Sequence, residues 1–393
     1  MNKPRPKEDL SIWLDVIRAA AAQAVVLGHV HQIFFSGQVL LPETLLFRIS
    51  RVALDVLGSV SHQAVIAFFV MSGYLVGGRV LLDFRNGKFR PLRYFSDRCT
   101  RLWVVLLPAL VLTAALDLIA FKVGAGNHIL VSRQPFYPTW WASINPWGIK
   151  SAVSNAAFMQ MIATLQYGTN LSIWSISNEF WYYILFPCLL FGAAGRGVVR
   201  VAGAIAAILI FTMFSVSGAP HFTDRAQYLF YYFLIWTAGA AAPFVRGIWR
   251  IALGCAGLTY AFAWGWRRHF TIDPSFWGDA AVTALVLGFI CLCQTLPARR
   301  LAAPAKFFAG YSYSLYAIHL PVAFFLMSFD PVLNDKVAYG LADNTRYVAY
   351  VAIANVAGLM FWYFTERHTN TIRYRLRTWM ELFERPEKAQ STD

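Results

Sequence analysis

Charge is scarce in this sequence. Of its 393 residues only 14% are Asp, Glu, Lys or Arg, while 58% are hydrophobic; an ordinary soluble domain is about one quarter charged. Long apolar runs recur from one end to the other, which excludes a string of soluble domains and leaves a polytopic membrane protein. Cysteine is sparse as well. The five residues, Cys99, Cys188, Cys255, Cys291 and Cys293, are scattered over predicted helices. Cys291 and Cys293 form a C-x-C, but no Cys/His ligand set surrounds them, so neither a disulfide framework nor a metal site is expected. Internal repeats, low-complexity linkers and room for a second soluble domain are all lacking. The first apolar run is no cleavable signal, because it is long and carries Asp15 and Arg18.

The charge that is present has a direction. A net charge of +14 would suit nucleic acid if it were clustered on a soluble face, but here its placement reads as topology, and no nucleic-acid partner is expected. The expected fold is an all-α, polytopic membrane domain of about ten spans, at 11–34, 61–82, 101–122, 173–193, 198–217, 226–246, 249–266, 277–296, 307–328 and 346–366. With "MNKPRPKEDL" on the cytoplasmic side, most Lys and Arg fall on that side, including "RVLLDFRNGKFRPLRYFSDRCTR" and the "RYRLR" tail. The opposite side holds fewer, although it carries the longest loop, 123–172. That asymmetry is the positive-inside pattern, and an even number of spans places both termini in the cytoplasm. The transmembrane domain is expected over 1–366, followed by a short basic, polar cytoplasmic tail over 367–393.

An ionisable side chain at membrane depth costs a few kcal/mol, so each one needs a reason. In "WLDVIRAAAAQAVVLGHVHQIFF", Asp15 and Arg18 are three apart and close enough to pair. His29 follows Arg18 by eleven residues, about three full turns, so the two share a face roughly 16 Å apart. A buried ion pair and an interhelical hydrogen bond would be the bland account; His31 reads as ordinary. In "FFVMSGYLVGG", Ser72, Gly73, Gly77 and Gly78 make a small-residue patch, which by itself suits helix packing. In "NLSIWSISNEFWYYILFP", Trp174 and Trp181 taken alone read as an interfacial aromatic belt. Glu179 has no place in such a belt and calls for a cationic or hydrogen-bonding partner; Ser175 and Tyr182 or Tyr183 are spaced to line its face. In "YSYSLYAIHLPV", Ser312, Tyr316 and His319 share a face, and Pro321 removes the donor that would bond the Ala317 carbonyl. Arg90, Arg93, Arg98 and Arg101 cluster where the third span begins, as topology signals and headgroup ligands or as a cradle for phosphates. Asp117 has no evident role. The sequon at Asn170 reads as chance.

These stretches together resemble the membrane-bound acyltransferase family 3, O-acyltransferases of bacterial surface glycans, oligosaccharides and macrolides. "LDVIRAAAAQAVVLGHV" is similar to the family's opening helix, with Arg18 and His29 at its R-x10-H spacing. "FFVMSGYLV" resembles its F-F-x-x-S-G-[FY]-L segment, "WSISNEFWYYILFP" its glutamate helix, and "YSYSLYAIHLPV" its S-Y-[ST]-[LI]-Y-x-x-H-x-P element. Two departures are Val104, where proline is usual, and Phe180 in place of a second acid after Glu179. The resemblance implies transfer of an acyl group, expected to be acetyl, from acyl-CoA to a saccharide or macrolide hydroxyl, in the multi-pass plasma membrane of a bacterium.

It further implies His29 as general base, with Glu179 or His319 orienting it, stabilising charge or positioning the acceptor, and a covalent acyl-enzyme on His29 as a variant. Arg18, Arg98 and Arg101 would hold the CoA phosphates or the developing charge, and Ser72 and Gly73 would line the thioester's path. Asp15, Trp174, Ser177, Tyr182, Tyr313 and Ser314 are the expected supporting or substrate-lining residues. Expected partners are membrane lipids and a hydroxyl-bearing acceptor, with the oligomeric state open. The alternative from another class is a proton-coupled transporter or exporter of a sugar conjugate, since intramembrane His and Glu also build proton relays.

Overall fold

The computed structural model describes residues 6–34, 60–123, 147–160, 162–216, 225–267, 276–293, 296–330 and 341–383. Nearly half of the loop expected at 123–172 and the last ten residues of the tail lie outside them. The helices are α1 (Pro6–Phe34), α2 (Ser61–Ser72), α3 (Gly78–Arg85), α4 (Pro91–Lys122), α5 (Ile149–Ala156), α6 (Trp174–Ala194), α7 (Gly197–Val216), α8 (Arg225–Ala241), α9 (Ile248–Arg267), α10 (Phe276–Leu292), α11 (Ala302–Gly310), α12 (Ser312–Ser328), α13 (Leu341–Phe364) and α14 (Thr369–Phe383). Among the described residues there is no strand, only one bridge, between Gln160 and Thr164.

Five segments are long and apolar enough to cross a membrane: Glu8–Phe34, Ser61–Arg85, Pro91–Lys122, Gly197–Ser215 and Asn344–Met380. Leu229–Phe244, Phe276–Leu292 and Ser312–Ser328 are shorter apolar helices. The run expected as one span at 307–328 divides at Tyr311 into α11 and α12. The third span starts well before residue 101. Its helix opens at Pro91, where the missing proline N–H has no intrahelical partner to lose.

Helix α1 is central, packing against α2, α11, α12 and α13. Helix α2 passes through a π-helical turn, Gly73–Gly77, into α3. That turn seats against α8 backbone to backbone: a Cβ on Gly73 would lie 1.9 Å from the Trp236 carbonyl oxygen, and one on Gly239 2.1 Å from that of Val70. Small residues permit this approach where no water-driven packing force is available. The same logic joins α9 to α10, where a Cβ on Gly257 would meet the Ala284 carbonyl at 2.5 Å. A polar tie links three elements: His62 Nε2 lies 2.8 Å from Asp279 Oδ1, and Tyr231 donates to Asp279 Oδ2 at 3.0 Å, connecting α2, α8 and α10.

Asp117 has a clear task. It accepts from the Thr169 amide (2.9 Å), the Thr169 hydroxyl (2.6 Å) and the Trp147 indole (2.8 Å), so it anchors the turn that precedes α6. Gly168, at φ +53°, lies so close that a Cβ there would be 2.3 Å from the carboxylate. Asn170 then reaches into α12 and donates to the Ala317 carbonyl at 2.8 Å. That carbonyl is the one Pro321 cannot serve, and the loop supplies the missing donor.

Candidate functional site

Two linked regions gather most of the motif residues. The first is a cavity of about 350 Å³ between α1, α2, α4, α6 and α12. Arg18, Arg98, Arg101 and Arg373 line it against a single carboxylate, Glu179. Arg98 lies over the Tyr183 ring (5.9 Å to the centroid) and Arg101 over the Tyr313 ring (5.8 Å). Among the described residues neither of these arginines forms a salt bridge, and Arg98 Nε and Tyr313 OH are buried without hydrogen-bond partners. Arg18 keeps only a long contact to Asp15, 3.4 Å. Four arginines to one lining carboxylate leave the cavity with an excess of positive charge, an environment suited to an anion.

Glu179 is held by donors. Ser72 donates to Oε1 at 2.7 Å, Tyr183 donates to the same oxygen, and the Trp236 indole donates to Ser72 Oγ at 3.1 Å. The sequence expectation of a cationic or hydrogen-bonding partner is met by hydroxyls, with the arginines at longer range. A second cavity of about 380 Å³ adjoins the first through Leu75, Val76 and Arg98. Its walls carry Arg79, Lys88, Arg90, Arg93 and Arg377, with Asp83 and Asp97 among them. Both cavities lie toward the basic end of the bundle.

The second region is a histidine pair near the other end of α1. His29 Nδ1 lies 2.8 Å from His319 Nε2, with the rings 5° from parallel. His319 Nδ1 faces two carbonyl oxygens, of Tyr316 at 2.8 Å and Leu315 at 3.2 Å. Carbonyls only accept, so His319 carries its proton on Nδ1 and offers Nε2 as an acceptor. His29 must then donate through Nδ1, which leaves its Nε2 with a free lone pair. Nε2 has no hydrogen-bond partner among the described residues, and His29 is only partly buried. The geometry is thus an exposed-side Nε2 lone pair on an imidazole whose other nitrogen is held by a fixed third group, the arrangement a general base requires.

Tyr316 spans the two regions. Its ring lines the cavity, its hydroxyl donates to the Ser172 carbonyl (2.8 Å) and meets Ser175 Oγ at 2.5 Å, and its own carbonyl holds His319. Among the described residues no hydrogen bond joins Glu179 to either histidine.

Several expectations need correction. Gly73 is pressed against Trp236, not the cavity, so it is a packing residue and leaves Ser72 alone on the cavity wall. Trp174 and Trp181 are no lipid-facing belt. Trp174 packs edge-on against Phe69, and the Trp181 indole donates to the Phe158 carbonyl at 2.9 Å. Tyr182 turns from Glu179 to donate to the Leu229 carbonyl at 3.1 Å, and Tyr183 takes the inward position. Ser177 donates to the Phe158 carbonyl at 2.6 Å and so fixes the loop before α6. Ser314 donates to Glu366 from its hydroxyl (2.8 Å) and its amide (3.0 Å). Glu366 thereby caps the start of α12, a role invisible in a polar segment of sequence.

A family model described as an acyltransferase domain matches residues 11–365. Among curated proteins and solved structures, nothing matches the chain. The matched span runs from the base of α1 to the end of α13 and takes in both histidines, Glu179 and the cavity arginines Arg18, Arg98 and Arg101: this chain belongs to the membrane acyltransferase family 3.

Proposed function

We propose that this membrane acyltransferase takes its acyl group, acetyl by expectation, from acyl-CoA at the basic end and delivers it to a saccharide hydroxyl, with His29 as general base. The observation that carries the reading is the polarity of one helix. Helix α1 presents Arg18 to the anion-seeking cavity and, eleven residues further on, a histidine with a free Nε2. Those points are separated by roughly 16 Å of helix, a span that a phosphopantetheine arm can bridge with its phosphates left among the arginines.

In this reading Arg98, Arg101 and Arg18 hold phosphate oxygens through forked, charge-assisted hydrogen bonds. The acceptor hydroxyl gives its proton to His29 Nε2 as its oxygen attacks the thioester carbonyl. The imidazolium so formed keeps its Nδ1 proton on His319 Nε2, while His319 stays anchored on the Tyr316 and Leu315 carbonyls. Collapse of the tetrahedral intermediate expels the CoA thiolate, which takes up the proton. Ser72 and Tyr183 keep Glu179 fixed beside the arginines, where it limits the positive charge facing the donor.

The test is mass spectrometry of surface and secreted glycans from the native host, comparing a deletion strain with strains complemented by wild type or His29→Ala at matched membrane levels. An acyl-sized mass restored by wild type alone supports the reading and identifies acyl group and acceptor together. Full restoration by His29→Ala removes that residue as the base.

A further inference from the structure

Helix α14 lies past the matched family span and reads in sequence as a mere tail. It is amphipathic in two adjoining stripes. Ile372, Leu376 and Trp379 are exposed at spacings that place them on one side, as in helices that lie in a membrane interface. Arg373 and Arg377, four apart, form the neighbouring stripe and point inward. Arg377 grips both oxygens of Asp97 on α4, donating from Nε at 2.9 Å and also from Nη2. Arg373 Nε stands 3.6 Å from Asp97 Oδ1, too far for a good hydrogen bond. Its side chain is four-fifths buried and lines the main cavity beside Arg98 and Arg101. Arg377 lines the adjoining one.

We infer that α14 is a wall of the donor site: Arg373 binds a phosphate of the incoming donor, and the Asp97–Arg377 fork is the strut that positions it. The inference rests on the acyl-CoA reading above. Two observations support it independently of that reading. The first is an arginine that shares a carboxylate already satisfied by its neighbour and turns into a cavity where cations outnumber carboxylates. The second is a helix whose apolar stripe is exposed, so that a buried-side ion pair, Asp97–Arg377, fixes its register against α4. Arg forks suit phosphate oxygens, and Lys would supply charge without the fork.

The experiment uses the full chain in nanodiscs, with CoA binding measured by calorimetry and amide exchange read over residues 369–383. Arg373→Ala is expected to weaken CoA binding by about 10- to 100-fold while leaving α14 protected. It should raise the donor KM in vesicle assays without changing kcat at saturation. Arg373→Lys should recover part of the loss. Asp97→Asn and Arg377→Ala should weaken CoA binding and speed exchange throughout 369–383, and Asp97→Glu should restore both. If the wild type binds CoA and Arg373→Ala binds it equally well, the inference is overturned while the donor reading survives. A wild type that binds no CoA removes the donor reading and this inference with it.

Discussion

Replacing His319 with alanine tests the tautomer argument at its weakest joint. The substitution removes the acceptor of the 2.8 Å bond from His29 Nδ1 and frees His29 to rotate or exchange tautomers. The largest effect falls on the transition state, where His29 is cationic and the lost hydrogen bond is charge-assisted, about 1.5–3 kcal/mol. At 1.36 kcal/mol per tenfold, kcat should fall by roughly 10- to 100-fold. His29→Ala, which removes the base itself, should cost about 10²- to 10⁴-fold. The donor KM should barely move in either variant, since no cavity-lining side chain is touched. The double variant should be no slower than His29→Ala, because His319 acts only through His29. The assay is transfer of radiolabelled acyl groups from acyl-CoA into alkali-labile material by membrane vesicles, with protein levels matched. An unchanged rate in His319→Ala, or losses that multiply in the double variant, would refute the relay.

Other parts of the structure make separate claims. Glu179→Gln keeps an acceptor for Ser72 and Tyr183 but removes the charge that offsets the arginines, so the donor KM should fall by roughly 10-fold with the unfolding midpoint unchanged; an unchanged donor KM would strip the carboxylate of that role. Gly73→Ala places a methyl against the Trp236 carbonyl and should destabilise the fold by about 1–3 kcal/mol, while the donor KM of the surviving protein stays at the wild-type value. A raised KM at full stability would return Gly73 to the donor path. Glu366→Ala removes the cap of α12 and should cost about 1 kcal/mol in thermal unfolding; no change would show that Ser314 finds another acceptor.

The residues legible in the sequence were those that the membrane makes expensive. His29, Glu179, His319 and Arg18 are conspicuous because a bilayer tolerates few such groups, and the structure gathers them into the two regions, Arg18 and Glu179 in the cavity and the histidines in contact. Pro321 announced an unserved carbonyl, and the structure names its donor, Asn170. The residues that escaped notice are of three kinds. Trp236 supports Ser72 through one indole hydrogen, yet in an aromatic-rich helix it looks like any apolar residue. Glu366, Asp97 and Arg373 lie in charged flanking segments, where the bilayer imposes no penalty and one more charge carries no signal. The choice between Tyr182 and Tyr183 depended on the rotation of α6 against α8, which a period of 3.6 residues cannot resolve for neighbours 100° apart.

The buried turn before α6 also bears on how the protein can be made. Asn170-Leu171-Ser172 has the form of an N-glycosylation site. In the folded protein Asn170 and Ser172 are both buried, and the amide that would carry the sugar is bonded to the Ala317 carbonyl. A eukaryotic secretory pathway modifies such sites during synthesis, before the turn could dock. A glycan there would keep Asn170 out of its seat and leave α12, with His319 on it, unsupported. Bacterial expression is therefore the appropriate source of active material, and a glycosylated product from any other host should be read as misfolded.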